Sequence, residues 1–89
     1  MSVVGPPGPH VTETEVDGCV NVYSPVTRHV LVLNETASDV WRLADGEHMP
    51  SEVVTLLAEA YGVERGDVEQ DVLGTIASFV GHGLIPPVD

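Results

Sequence analysis

The side chains of this chain that could do chemistry are four histidines, one cysteine and fourteen carboxylates. The histidines are His10, His29, His48 and His82, and the cysteine is Cys19. No two histidines have the HxxxH spacing of metal ligands on one helix face, and the sequence lacks a Cys-x-x-Cys pair. It also lacks a phosphate-binding loop of the GxxxxGKS type. The sequence therefore predicts a binding module, not an enzyme, with no catalytic residues, cofactor or metal.

The charge balance limits the partners that the chain could bind. Fourteen acidic residues face three arginines and no lysine, which gives a formal net charge of −11. Nucleic acids and anionic membranes are bound through Lys and Arg, so we expect neither as a partner. A role of the charge in solubility is the simpler explanation. The single cysteine excludes an internal disulfide, and no signal peptide or membrane-spanning run is present, which predicts a cytoplasmic protein.

Three short strands are predicted in the first half of the chain. Residues 11–16 alternate, and Asp17-Gly18 is the two-residue signature of a type I′ hairpin turn. Residues 19–23 return along the first strand, and a turn containing Pro25 leads into a third strand at residues 28–33. Strands joined by such short turns form an antiparallel meander, with the first and third strands at its edges.

The period of the apolar residues changes to that of a helix after Asn34, which is a favourable N-cap. Three helices are predicted, at about residues 35–45, 50–61 and 65–82, and Trp41 on the first is expected in the core. The predicted fold class is α+β, a three-stranded antiparallel meander followed by three helices. The folded domain is predicted at residues 11–85, between a flexible Pro/Gly tail at residues 1–10 and a C-terminal tail at residues 86–89.

The predicted third strand has an edge without a guarding charge. It offers His29, Val30, Leu31, Val32 and Leu33. The first strand, by contrast, carries Glu13 and Glu15, which resist pairing with another sheet. Because unpaired N–H and C=O groups recruit another chain, the apolar edge predicts a protein that accepts a strand from a partner. A helix that covers this edge is the alternative.

The predicted third helix is apolar over roughly half of its circumference, more than one packing face requires. We predict that Leu73, Ala77, Val80 and Leu84 pack on the other helices. The opposite side, with Val68, Val72 and Phe79 bordered by Asp71 and Thr75, would then line a groove. The alternative is a central helix of a small core, which periodicity alone does not reject.

One run of residues resembles a known family. From Leu33 to Gly46 the sequence reads LN-x-TA-x-x-VW-x-L-x-x-G, and it is followed by AYGV at residues 60–63, DV at residues 71–72 and GLI at residues 83–85. This arrangement, over about residues 11–85, resembles the PqqD-like family. That family includes pyrroloquinoline quinone biosynthesis protein D and the recognition elements of ribosomally made, post-translationally modified peptides. The resemblance implies a winged helix-turn-helix-like shape.

The resemblance also implies a function. Family members bind the leader segment of a precursor peptide, which adds as a strand to the third β-strand and presses side chains into the groove beside the third helix. Carried over to this sequence, the pairing edge is His29 to Leu33. The groove residues are Val68, Asp71, Val72, Thr75, Ile76 and Phe79.

A free-standing chain of this size most resembles the discrete recognition protein of lasso peptide pathways. There it presents the leader to a leader peptidase and an ATP-dependent cyclase. A peptide chaperone for a radical enzyme, as in pyrroloquinoline quinone synthesis, is the alternative within the family.

Two other classes of protein share this outline. A winged-helix regulator would need a basic third helix, but here Arg65 and His82 stand against Asp67, Glu69 and Asp71. A self-pairing assembly protein would join two copies through their third strands. We therefore expect a monomer or a weak homodimer.

Overall fold

The computed structural model describes residues 3–87 and contains three strands followed by three helices. The elements are β1 (Thr12–Val16), β2 (Cys19–Ser24), β3 (His29–Val32), α1 (Glu35–Leu43), α2 (Pro50–Tyr61) and α3 (Arg65–Gly81). The predicted α+β fold class and element order are therefore confirmed. Among the helices of residues 3–87, none combines the length and apolarity needed to cross a membrane.

The sheet is an antiparallel meander in the order β1-β2-β3, which leaves β1 and β3 at its edges. The turn between β1 and β2 has positive φ at both Asp17 (53°) and Gly18 (82°), as a type I′ turn requires. In the second pair of strands Ser24 lies opposite His29, and Asn21 lies opposite Val32.

One face of the sheet packs on the helices. Val20, Val22 and Ser24 of β2 alternate toward this face and are buried, and Leu33 joins them after β3. The side chain of Ser38 on α1 fits here because its Oγ accepts the N–H of Val20 (2.9 Å) and donates to the carbonyl of Leu33. The core thus contains a buried hydroxyl whose hydrogen bonds join α1 to the sheet.

The helices begin and end where local chemistry allows it. The Oδ1 of Asn34 accepts the N–H of Ala37 (2.8 Å), so Asn34 caps α1 as predicted. Pro50 occupies the first turn of α2, and Gly62 ends that helix in the left-handed region (φ 68°). On α1, the ring of Trp41 meets Phe79 of α3 edge to face, with centroids 5.3 Å apart.

The N-terminal segment corrects a prediction. Val4 is fully buried; its N–H donates to the carbonyl of His48 (2.7 Å), and its own carbonyl accepts from Gly46 (2.9 Å). The N–H of Gly8 likewise donates to the carbonyl of Leu84 (3.0 Å). Residues 4–8 therefore belong to the folded domain, and the predicted flexible tail is wrong for them because Val4 fills a place in the core.

The ends of the two predicted tails lie outside the described part of the chain. Met1 and Ser2 precede it, and Val88 and Asp89 follow it. Of the predicted C-terminal tail, Pro86 and Pro87 are exposed, directly after the buried Ile85.

The packing of α3 corrects a second prediction. The side chains that enter the core are those of Val68, Val72, Ile76 and Phe79. Leu73, predicted to pack on the other helices, is 43% exposed, and Ala77 is exposed as well. The predicted packing face is therefore wrong for Leu73 and Ala77, whereas Val80 is half-buried against the core as predicted. The apolar residues predicted to line the groove are buried in the core instead. Leu84, which follows the helix, is buried as predicted.

Candidate functional site

The free side of β3 is the candidate site, and we call it the β3 edge (His29–Val32). The N–H of Leu33 donates to the carbonyl of Val20 (2.9 Å). Because hydrogen bonds in an antiparallel ladder come from alternate residues, Leu31 also bonds toward β2, and the N–H and C=O groups of Val30 and Val32 point away from it. Within residues 3–87, β3 pairs with no strand other than β2. Val30 and Val32 therefore leave their N–H and C=O groups free to pair with another strand.

The side chains of the β3 edge are as open as its backbone. Val30 and Val32 are 62% and 77% exposed on the outer face of the sheet, where Val30 lies opposite the exposed Tyr23. Leu31 is half-buried on the core face. An exposed apolar edge of this kind is the surface on which another strand pairs.

The β1 edge is built differently. Glu13 lies opposite Val22 and Glu15 opposite Val20, so both carboxylates are on the face that carries the helices. The carboxylate of Glu13 accepts the Nε1–H of Trp41 (3.1 Å), and that of Glu15 forms an ion pair with Arg42. Inward-pointing charges of this kind discourage pairing at an edge, so the sheet has one open edge and one guarded edge.

The end of α3 lies beside the start of β3. Ser24 Oγ donates to the carbonyl of His82 (2.5 Å), and Ser24 lies opposite His29 in the sheet. Farther back on α3, Asp71 is exposed and Thr75 is half-buried, with its Oγ1 donating to the carbonyl of Asp71 (2.6 Å). Six residues of α3 are predicted to bind a peptide, and of these Asp71 and Thr75 reach the surface. The other four form the core beneath it, and the peptide-binding role of all six stays a prediction.

The residues that could do chemistry lie apart from one another. His10 and His29 are exposed, while His48 and His82 are half-buried at the start of α2 and the end of α3. Within residues 3–87, no three side chains of His, Cys, Asp or Glu come together as metal ligands could. Cys19 is a half-buried free thiol in β2.

Two hydrogen-bonded pairs perturb titration away from the β3 edge. His48 Nδ1 lies 3.1 Å from Asp45 Oδ1, and this hydrogen bond raises the pKa of His48. The pKa of Asp45 is lowered, chiefly because its carboxylate accepts the backbone N–H of Glu47. Burial, followed by the hydrogen bond to Asp39, raises the pKa of Tyr61. These pairs connect loops and helix ends.

The fold and the site define a small α+β domain. Its three-stranded meander has one open, apolar edge, and three helices cover one face of the sheet. Residues 19–85 match the family described as coenzyme PQQ synthesis protein D (PqqD). Because the match spans most of the chain, this chain belongs to the PqqD family. A comparison with curated proteins gave no match.

Two solved structures are similar to this chain. One is a lasso peptide synthetase B1 complexed with the leader peptide, 29% identical, with a TM-score of 0.75 over 92% of this chain and 96% of that one. The other is TbiB1 in complex with the TbiA(beta) leader peptide, with a TM-score of 0.80 over 100% of this chain and 99% of that one. At 21% identity, the second structure supports the fold alone.

Proposed function

We propose that this chain binds the leader region of a ribosomally synthesised precursor peptide, which adds as a strand to the β3 edge. The observation that carries the proposal is the exposure of Val30 and Val32 on a strand with one free side, in a chain of the PqqD family. The similarity to a lasso peptide synthetase B1 solved with its leader peptide supports a lasso pathway. The chain would act as a non-catalytic recognition protein that delivers the leader to a leader peptidase and an ATP-dependent cyclase. This step would take place in the cytoplasm, where precursors are translated.

A peptide strand on the β3 edge would gain affinity from backbone hydrogen bonds. Val30 and Val32 each offer one donor and one acceptor, and a backbone hydrogen bond contributes about 0.5–1.5 kcal/mol net. Four such bonds supply affinity but read no sequence. Specificity must therefore come from side chains of the peptide that contact exposed side chains of β3 and of α3.

The charge on α3 argues against a winged-helix regulator. Asp67, Glu69 and Asp71 are exposed there, and the guanidinium of Arg65 is hydrogen-bonded to the Thr55 hydroxyl of α2. A recognition helix enters the major groove between phosphates, so it requires positive charge. This helix would be repelled.

The family description supports a second candidate function, that of a peptide chaperone for a radical enzyme in quinone cofactor synthesis. The two candidates differ in the precursor that binds. The genes beside this one show which class of precursor is encoded there, because lasso and quinone precursors have different neighbouring enzymes. Titration of this chain with the leader segment of that precursor then shows whether it binds. Size-exclusion chromatography with and without peptide separates both from self-pairing, because a self-paired dimer would be insensitive to peptide.

The β3 edge can be tested by removing one donor. Val32→Pro deletes an N–H that points away from the fold, so we expect peptide affinity to fall by about tenfold or more while the domain stays folded. Val32→Ala is the matched control, because it keeps the N–H and trims an exposed side chain. Isothermal titration calorimetry with a leader segment gives the affinities, and the amide NMR spectrum reports the fold.

The NMR titration also contains the contradictory outcome. Binding at the β3 edge shifts the amides of Val30 and Val32 most. If Val32→Pro binds the leader as tightly as the parent chain, or if the shifts fall on β1, strand addition at β3 is refuted.

A further inference from the structure

Arg28 differs from the other two arginines of the chain. Arg42 forms ion pairs with Glu15 and with Asp39 (3.0 Å), and Arg65 lies 3.8 Å from Glu69. Arg28 is exposed, and no carboxylate of residues 3–87 lies within ion-pair distance of it. A cation with no ion pair among residues 3–87 is notable in a chain with a net charge of −11.

The backbone at Arg28 does not favour an arginine. Its φ is 61°, in the left-handed region that glycine and asparagine adopt most readily and that strains other residues by about 1 kcal/mol. The turn itself uses only the backbone, since the N–H of Arg28 donates to the carbonyl of Ser24 (2.8 Å). The side chain is therefore unnecessary for the turn, and residues held in such conformations cluster at functional sites.

Arg28 stands at one end of the β3 edge, directly before His29. Ser24 lies opposite His29 and holds the end of α3 through the carbonyl of His82. The two segments that meet here, residues 22–33 and 72–87, contain no aspartate or glutamate. At this end of the β3 edge, a carboxylate of a bound peptide could therefore reach Arg28 without competition from an acidic residue of these two segments.

The other end of the β3 edge has the opposite charge. Leu33 is followed by the Asn34 cap and by the exposed Glu35. One turn later, Asp39 Oδ2 accepts the hydroxyl of Tyr61 from the end of α2 (2.5 Å). A peptide strand on the β3 edge would therefore run from a cationic end to an acidic end.

We propose that Arg28 is a specificity-determining residue, which binds a carboxylate of the added peptide strand at the His29 end of the β3 edge. The inference rests on the proposed function and names its substrate class. The preferred peptide carries aspartate or glutamate beside Arg28 and a neutral or basic residue beside Leu33. A guanidinium binds a carboxylate through two parallel hydrogen bonds, which gives geometric selectivity as well as charge. Since the whole chain repels acidic peptides, the position of the acid matters more than the net charge of the peptide.

The test begins with selection from random peptides of about ten residues displayed on phage, a length that exceeds β3. The full chain and its Arg28→Gly variant are used as targets. We expect an acidic residue at one fixed distance from the apolar residues of peptides selected by the parent chain, and no such position with Arg28→Gly. One enriched peptide and its Glu→Gln or Asp→Asn analogue are then synthesised for calorimetry.

The variant separates a binding role from a structural one. Glycine adopts the left-handed region without strain, so Arg28→Gly should unfold at the same temperature as the parent chain or higher. The parent chain should bind the acidic peptide about tenfold more tightly than the amide analogue, and Arg28→Gly should bind the acidic peptide no more tightly than the analogue. Arg28→Lys keeps the charge without the two-pronged geometry, so we expect an intermediate ratio.

Each remaining result overturns a defined claim. If the acidic peptide loses no affinity on Arg28→Gly while the amides of Val30 and Val32 still shift, the role of Arg28 is refuted and strand addition stands. If no selected peptide shifts those amides, the proposed function fails and the role of Arg28 fails with it.

Discussion

Trp41 shows how a buried polar atom is satisfied from a distant strand. The indole is 4% exposed, and its Nε1–H is accepted by Glu13, which lies 28 residues earlier. The sequence predicts that Trp41 is in the core, because the apolar period of α1 includes it. Nothing in that period indicates the acceptor, because Glu13 reaches Trp41 only through the tertiary fold.

Removing this acceptor should destabilise the domain. We expect Glu13→Ala to lower the free energy of unfolding by about 1 kcal/mol, because a nearly buried donor loses its partner. Glu13→Gln keeps an acceptor oxygen and should lose less. Urea denaturation measures both, with Thr14→Ala on the outer face as the control. Equal losses for the alanine and glutamine variants would show that the hydrogen bond contributes nothing.

The pair of Asp45 and His48 makes stability depend on pH. The pKa of His48 is raised in the folded chain, so its contribution is complete below the ordinary value of 6.5 and is lost as pH rises through the folded-state value. The pKa of Asp45 is lowered from 3.8, so its contribution is present above that value and is lost in stronger acid.

Thermal unfolding of His48→Gln tests this dependence. We expect the parent chain to have the higher melting temperature near about pH 5 to 6, and the difference to shrink toward pH 8, as the linkage of protonation to folding requires. Asp45→Asn should reproduce the trend, since its amide oxygen still accepts the N–H of Glu47. A difference that stays constant over this range would contradict the assignment.

At the scale of elements, local signals carried most of the prediction. Asp17-Gly18 fixed the hairpin, Asn34 began α1, and Pro50 and Gly62 bounded α2. Each of these residues acts through its own backbone or the next turn, so the sequence is sufficient. The two errors concern contacts between distant elements.

One error is the packing side of α3. Its wide apolar arc offered two halves, and Val72 and Leu73 are adjacent in sequence but differ in exposure, 0% against 43%. Which half faces inward depends on the angles at which α1 and α2 cross α3, and periodicity does not contain these angles. The exposure of the α3 residues was therefore predicted less well than that of the β3 residues.

The other error is the N-terminal segment, whose glycines and prolines indicated a tail. Gly5, with φ 80°, approaches the carbonyl of Ala44 so closely that a Cβ would collide with it. Such an approach is a tertiary contact that composition does not show.

Val4 gives this segment a measurable role. We expect Val4→Ala to lower the free energy of unfolding by roughly 2 kcal/mol, because a fully buried valine side chain leaves the core. Val3→Ala is the matched control, since the neighbouring valine is 38% exposed and should change stability little. If the two variants have the same free energy of unfolding in urea, the segment is not part of the cooperative fold.

At the scale of the whole molecule, the charge and the open edge belong together. A net charge of −11 keeps copies of an apolar edge apart, and this repulsion weakens as salt is added. The sequence could predict the edge because the apolar residues of β3 and the glutamates of β1 are both visible in it. The position of Arg28 beside the end of α3 required the structure, since the contact between Ser24 and His82 spans 58 residues.

The inequality of the two sheet edges has a consequence for stoichiometry. A strand that docks on β3 becomes the new border of the sheet, while the carboxylates of β1 keep the opposite border closed. Growth of a fibril by repeated strand pairing between copies would require that both edges of the sheet can pair. If strand addition occurs as proposed, we expect one peptide per molecule and no growth into a polymer through the sheet edges.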